Sequence, residues 1–244
     1  MDPFQKILQS TLARTESVPQ TTTPPTLPET ERAPWTATVT AEDFLALAKA
    51  RRTIYTLGKD LPVAEETVID TIKEAIRHAP SAFNSQSSRA LILLGKEHDR
   101  FWGLVREQLR KVIPAESFHA TSDKLDGFTA AAGSVLFFED QEVVTALQRQ
   151  YIAYADNFPI WSEQSSGIAQ YAVWLALTEK SIGANLQHYN PLIDQDVRET
   201  WNIPPSWKLR AEMNFGSITA PADEKTWIDD DRRFIVARSC TVNS

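Results

Sequence analysis

Four short stretches of this 244-residue chain carry residue types suited to chemistry rather than to packing. Arg51, Arg52 and Thr53 set two guanidinium forks beside a hydroxyl, a donor set that matches a phosphate. The plainer alternative is a pair of cations complementing a helix C-terminus. The stretch His78–Arg89 (HAPSAFNSQSSR) concentrates Ser, Asn and Gln between a stopped helix and an apolar run. Its amides can donate to and accept from the edge of a flat heterocycle, though an ordinary loop with capping serines has the same composition. Ser181–Asn190 (SIGANLQHYN) follows a long helical pattern, with Gly183 as a terminator whose neighbours could offer backbone N–H groups to a ligand or simply lead into a strand. Phe215 and Gly216, followed by Pro221 and Lys225, place one lysine after a strand.

Several familiar chemistries are excluded. With 8 glycines, none arranged as Gly-x-Gly-x-x-Gly or as a P-loop, a Rossmann or Walker nucleotide site has little support, and no Gly-x-Ser-x-Gly elbow is present. The single cysteine, Cys240, allows no intramolecular disulfide and no cysteine metal cluster. The four histidines, His78, His98, His119 and His188, lack helical zinc spacing, so no metal is expected. A formal net charge of −7 without a basic patch argues against nucleic acid, and no apolar run approaches the roughly 18 residues that span a bilayer.

The elements that must position these residues are legible in outline. Residues 1–39 thread Pro19, Pro24, Pro25, Pro28 and Pro34 through Thr and Glu and read as a flexible N-terminal extension. Its opening, with Phe4, Ile7, Leu8 and Leu12, could form a short amphipathic helix; a mitochondrial presequence looks similar, but Asp2 and Glu16 argue against one, so a cytoplasmic location is expected. The domain, residues 40–244, opens on a capping box, Thr40 to Asp43, ahead of Phe44, Leu45 and Leu47. Periodicity predicts helices over 64–78, 97–112, 122–132 and 162–180. The last is apolar on so many sides that it is expected at the centre. Strands are predicted over 89–95 and 133–139, and over 208–215, where period-two alternation suggests one covered face. Interleaved helices and strands give an α+β or α/β class.

Taken together and in order, the strings RRTIY (51–55), HAPSAFNSQSSR (78–89), GANLQHYN (183–190) and NFGS (214–217) resemble the nitroreductase superfamily of FMN-dependent oxidoreductases. The likeness is to its small fungal and bacterial members, typified by the yeast fatty-acid-repression-mutant protein, and covers about residues 40–238. It implies an α+β fold with a central, mostly antiparallel sheet flanked by helices, in an interlocked homodimer binding two FMN molecules at the subunit interface. Arg51, Arg52 and Thr53 then match the Arg-Arg-Ser that holds the FMN phosphate and ribityl chain. Pro80, Ser81, Ala82, Asn84 and Gln86 match the Pro-Ser-x-x-Asn-x-Gln that reaches the flavin from the partner subunit. Ala184, Asn185 and Leu186 fall in the loop beside the isoalloxazine ring, and Lys225 near the phosphate-binding lysine.

The resemblance has departures. Ser87 and Ser88 replace the Pro-Trp of the larger nitroreductases, Ala184 and Asn185 replace a Glu-Gly pair, and the basic Lys-x-Arg ending is reduced to Lys225-Thr226-Trp227. The implied activity is hydride transfer from NADH or NADPH through flavin N5 to a nitroaromatic, quinone or similar small aromatic acceptor, by ping-pong kinetics. Arg52 is the first candidate to stabilise reduced flavin near N1 and O2. Tyr151 and Trp161 either wall the acceptor pocket or belong to the core or dimer interface. Asp229–Arg233 reads as a solvated turn with local pairing. A flavin-binding regulatory or redox stress-response protein, and a specialised biosynthetic flavin oxidase or dehydrogenase, are the alternatives.

Overall fold

The structure is a computed structural model and describes residues 40–238. The expectations for residues 1–39, the amphipathic opening included, and Cys240 lie outside the described residues.

In chain order the elements are α1 (Ala41–Ala50), β1 (Leu57–Gly58), α2 (Glu65–Arg77), β2 (Ser88–Leu94), α3 (Gly95–Val112), α4 (Phe118–Thr129), β3 (Gly133–Asp140), α5 (Gln141–Gln150), α6 (Phe158–Glu179), β4 (Gly183–Gln187), α7 (Asp194–Trp201) and β5 (Trp207–Ile218). The capping box forms: Thr40 Oγ1 accepts the Asp43 N–H at 3.0 Å, and the Asp43 carboxylate accepts the Thr40 N–H at 3.0 Å. It satisfies donors that would otherwise be orphaned at the start of α1.

The named strands pair antiparallel throughout, in the order β1-β5-β3-β2, with β4 also on β5. β3 is buried along its whole length because both faces of the sheet are covered, which is why its centre, residues 135–138, is continuously apolar. Leu136 and Phe138 point to one face and pack with Phe101, Trp102 and Val105 of α3, Leu125 and Phe128 of α4, and Val197 of α7. Val135 and Phe137 point to the other and pack with Val68 and Ile72 of α2 and Val173 and Leu177 of α6.

β5 departs from its predicted single covered face. A register shift opposite Phe137 and Phe138 pairs those residues with Ala211 and Leu209, leaving Arg210 as the extra residue of a bulge. Leu209 thereby joins the α3 side, whereas Ala211, Met213 and Phe215 face α2 and α6. The intervening polar residues are not solvated either: Glu212 and Asn214 are both 0% exposed.

Two further expectations are corrected. Gly183–Gln187 is the strand β4, not a loop, and Ile54 N–H donates to Ala184 O at 2.9 Å, extending the sheet edge to the residue after Thr53. α6 is not wrapped on all sides: Phe158, Ser162, Ser165, Ser166, Ala169, Val173 and Leu177 form one buried stripe. Ile160, Ile168 and Tyr171 remain exposed at 56%, 42% and 40%.

Candidate functional site

Three of the four chemical stretches meet. Helix α1 ends at Arg51, whose backbone turns extended, so Arg52 and Thr53 leave the helix along the sheet edge, where Thr53 forms a parallel bridge with Ala184. Arg51, Arg52, Thr53, Tyr55 and the segment Asp223–Thr226 line a cleft of about 340 Å³. Arg52 Nη2 donates to the Asp223 carbonyl, tying the two walls together. The Arg51 guanidinium carbon lies 4.6 Å from the ring centre of Trp174, and Lys225 Nζ lies 4.1 Å from that of Trp227. Among the described residues none of these three cations makes an ion pair. Three positive charges and a hydroxyl around one cleft, with Asp223 and Glu224 also among its lining, are donors of the kind that suit an anion.

The stretch 78–89 lies apart from that cleft. Pro80, Ser81 and Gln86 line a separate cavity of about 180 Å³ with Ile76, Arg77, Ala79, Ser88, Arg89 and Ser165. Ala82 and Asn84 bound a single 3₁₀ turn, and the Gln86 N–H donates to Ser81 Oγ at 2.9 Å. Phe83, Asn84 and Gln86 all hold positive φ, at 56°, 50° and 48°. Such backbone is costly for side-chain-bearing residues and persists only where its surroundings enforce it.

The enforcing groups are buried. Glu139 of β3 is 0% exposed and accepts three serine hydroxyls: Ser87 at 2.6 Å, Ser88 at 2.5 Å and Ser162 of α6 at 2.6 Å. Asp140 beside it pairs with Arg89 at 3.1 Å and caps α5 through the Glu142 N–H at 3.2 Å. Sequence reasoning missed both acids; the available signal was a charged pair closing an apolar strand. On the outer side, the Phe83 ring stacks 5.8 Å from Trp161 at 20° and lies 4.9 Å from Tyr151. Tyr151 and Trp161 therefore belong to an aromatic face of this loop rather than to the sheet core, and Phe83 is half-exposed there.

In β4, Ala184 and Asn185 are buried and Leu186 is partly buried. The Asn185 side chain donates to Ile54 O at 2.9 Å and accepts from Gln187 and Asn214, so its polar atoms turn into the protein.

A second polar region lies at the far end of β4. Glu212 accepts the Tyr189 N–H at 2.9 Å through one oxygen, while its other oxygen, Asn190 Oδ1 and Asp194 Oδ1 are buried without partners. Burial pushes the Glu212 carboxyl up to about 8, opposed by the hydrogen bond from the Tyr189 N–H and reinforced to a lesser degree by the charge of Asp194. Burial likewise raises Asp194 and, with Glu212 nearby, takes Tyr189 to about 12. Because the folded state keeps the Glu212 proton up to about pH 8 and the unfolded chain loses it near 4.5, this group stabilises the fold less as pH rises through that window. Glu212→Gln is expected to flatten this dependence, so that the thermal midpoint of the variant relative to the parent is higher at pH 9 than at pH 5. Equal differences at the two pH values would refute it.

Comparison with known proteins agrees with this architecture. The model described as the nitroreductase family matches residues 48–217. HBN1 of Saccharomyces cerevisiae is 38% identical over 191 residues, covering 77% of this chain and 94% of that protein. Nitroreductase FRM2 of the same yeast is 34% identical over 190 residues, with the same two coverages of 77% and 94%. Among solved structures, nitroreductase CinD from Lactococcus lactis, in complex with chloramphenicol, is 55% identical, superposes with a TM-score of 0.75, and matches over 80% of this chain and 100% of its own.

Proposed function

This chain belongs to the nitroreductase family and is an oxidoreductase, and from that premise we propose that it binds FMN and uses NADH or NADPH to reduce nitroaromatics, quinones or similar electron-poor rings by a ping-pong mechanism. The observation that carries the reading is the cleft in which Arg51, Arg52, Thr53 and Lys225 converge. Its donor set fits the phosphate of FMN: two planar guanidinium forks, one mobile ammonium and one hydroxyl can meet every oxygen of a dianion. Two proteins of the same fold, from Desulfovibrio desulfuricans and Desulfitobacterium hafniense, are solved with FMN; at 18% and 17% identity their likeness speaks to the fold, so the argument for the cofactor rests on the cleft.

When bound, FMN supplies the redox chemistry, receiving hydride from the nicotinamide and passing electrons to the acceptor. The chain binds and orients. Arg51, Arg52 and Lys225 neutralise the phosphate, and Thr53 offers its hydroxyl to the phosphate or ribityl chain. Pro80, Ser81 and Gln86 line a different cavity, and Ala82 and Asn84 lie in the 3₁₀ turn beside it, which accords with their serving the site of a second copy. The exposed Ile160, Ile168 and Tyr171 on α6 supply an apolar surface for that homodimer to cover. The Lactococcus lactis relative is solved with chloramphenicol, nicotinic acid and 4-nitrophenol. All three are aromatic, and the face of Phe83, Tyr151 and Trp161 suits a planar acceptor.

The visible spectrum of the purified protein, recorded in air and then anaerobically with NADH or NADPH before a nitroarene is added, tests the reading. Flavin bands are expected that bleach with reductant and return with the nitroarene. Bound flavin that does not bleach would favour a regulatory flavoprotein, and no flavin after added FMN would overturn the proposal.

A further inference from the structure

Asn185 is 0% exposed in the middle of β4, where a buried amide must be partnered or it destabilises the fold. Its orientation follows from the chemistry of its neighbours. The Ile54 carbonyl can only accept, so the Asn185 amide nitrogen faces it at 2.9 Å, and Asn185 Oδ1 faces the amide groups of Gln187 at 3.0 Å and Asn214 at 3.2 Å. The Trp102 indole can only donate, which places Asn214 Oδ1 toward it at 2.9 Å and the Asn214 amide toward Asn185. The result is a one-way chain of donors from Trp102 through Asn214 and Asn185 to the carbonyl of Ile54. Aligned bonds of this kind polarise one another in a low-dielectric interior.

The chain ends beside the anion cleft. Ile54 is held at both of its backbone groups, its N–H by Ala184 O at 2.9 Å and its carbonyl by the Asn185 side chain at 2.9 Å. Immediately before it come Arg51, Arg52 and Thr53, which have left α1 and precede the two-residue strand β1. In this stretch the Ile54 clamp is therefore a principal tether fixing where these donors stand.

We infer that Asn185 is a positioning residue for the phosphate end of the cofactor site, acting through the carbonyl of Ile54 rather than by touching the flavin ring. The inference rests on the FMN reading above. It replaces the ring contact suggested by family resemblance with a role at the opposite end of the cofactor.

Riboflavin, which has the ring and ribityl chain but no phosphate, separates the two roles. FMN and riboflavin affinities are measured by flavin fluorescence on the full-length parent, on Asn185→Ala, and on Gln187→Ala, which removes a donor to Asn185 but leaves the Ile54 clamp. Asn185→Ala is expected to weaken FMN about tenfold, as losing one well-made buried hydrogen bond would, with riboflavin unchanged within about twofold. Gln187→Ala is expected to keep the FMN-to-riboflavin ratio of the parent. If Asn185→Ala does not fold, Asn185→Thr, close in volume and suited to a strand, carries the same expectation. An unchanged ratio, or an equal loss for both ligands, overturns the inference. A parent protein that binds neither ligand overturns the FMN reading itself, and the inference with it.

Discussion

Arg52→Ala is expected to lower FMN affinity by roughly 10- to 100-fold, the range for losing a charge-assisted bond to a phosphate. Arg232→Ala, in the exposed turn Asp230–Arg232, is expected to leave affinity within about twofold, because an exposed surface charge of this kind contributes little. The contrast follows from position. Arg52 lines the cleft with Arg51 and Lys225 and donates to the Asp223 carbonyl on the opposite wall, so its loss removes one proposed ligand of the phosphate and the tie between the walls. Arg232 does not line that cleft. Flavin content after purification and FMN titration of the apoprotein check the prediction. Equal flavin content in the two variants would remove the anion cleft as the cofactor site.

The second large effect is on stability. Glu139→Ala is expected to lower the folding free energy by about 3–5 kcal/mol, since it strips three serine hydroxyls of their buried acceptor and leaves a void in the sheet. For a domain of this size that corresponds to roughly 6–20 °C in thermal midpoint. Glu139→Gln keeps the volume and one acceptor oxygen, and its loss should be clearly smaller. The hydroxyls come from Ser87 and Ser88 beside the strained loop and from Ser162 on α6, so the same substitution should also loosen the left-handed backbone at Phe83, Asn84 and Gln86. Faster hydrogen exchange at residues 81–88 than in the core strands would show this. A midpoint within about 2 °C of the parent would refute the role given to Glu139.

Elements whose hydrogen bonds close locally were legible in the sequence. The Thr40 capping box and the apolar stripes of α2 and α3 depend on residues three or four positions apart, and the run 133–139 advertised a strand. What was hidden depends on distant partners. The alternation of 208–215 left Glu212 and Asn214 on the open face and the resemblance put Asn185 beside the flavin ring, yet each is buried, with partners including Tyr189, Trp102 and Ile54 respectively. β4 was hidden because Ala, Asn, Leu and Gln show neither β-branching nor alternation, and α5 because its cap, Asp140, also ends a strand. The bulge at Arg210 could not be foreseen, since alternation continues unbroken through Leu209 and Ala211. The four chemical stretches were visible by composition. That two of them line one cleft, a third braces it through the bridge between Ala184 and Thr53, and the fourth lies in another cavity is a property of the fold.

The arrangement of β5 sets an order of events during synthesis. This strand, Trp207–Ile218, pairs with β1, β3 and β4, and so joins residues made early to residues made late. While the ribosome has yet to deliver it, β3 lacks one neighbour and β4 lacks its partner, and the edge that holds Thr53 and Ile54 has no support. The cleft wall bearing Lys225 follows later still. Long-range pairing of this kind is slow to nucleate and leaves apolar strand faces open in the meantime. The sheet therefore closes only when β5 docks, and the cleft that Lys225 lines is completed after it.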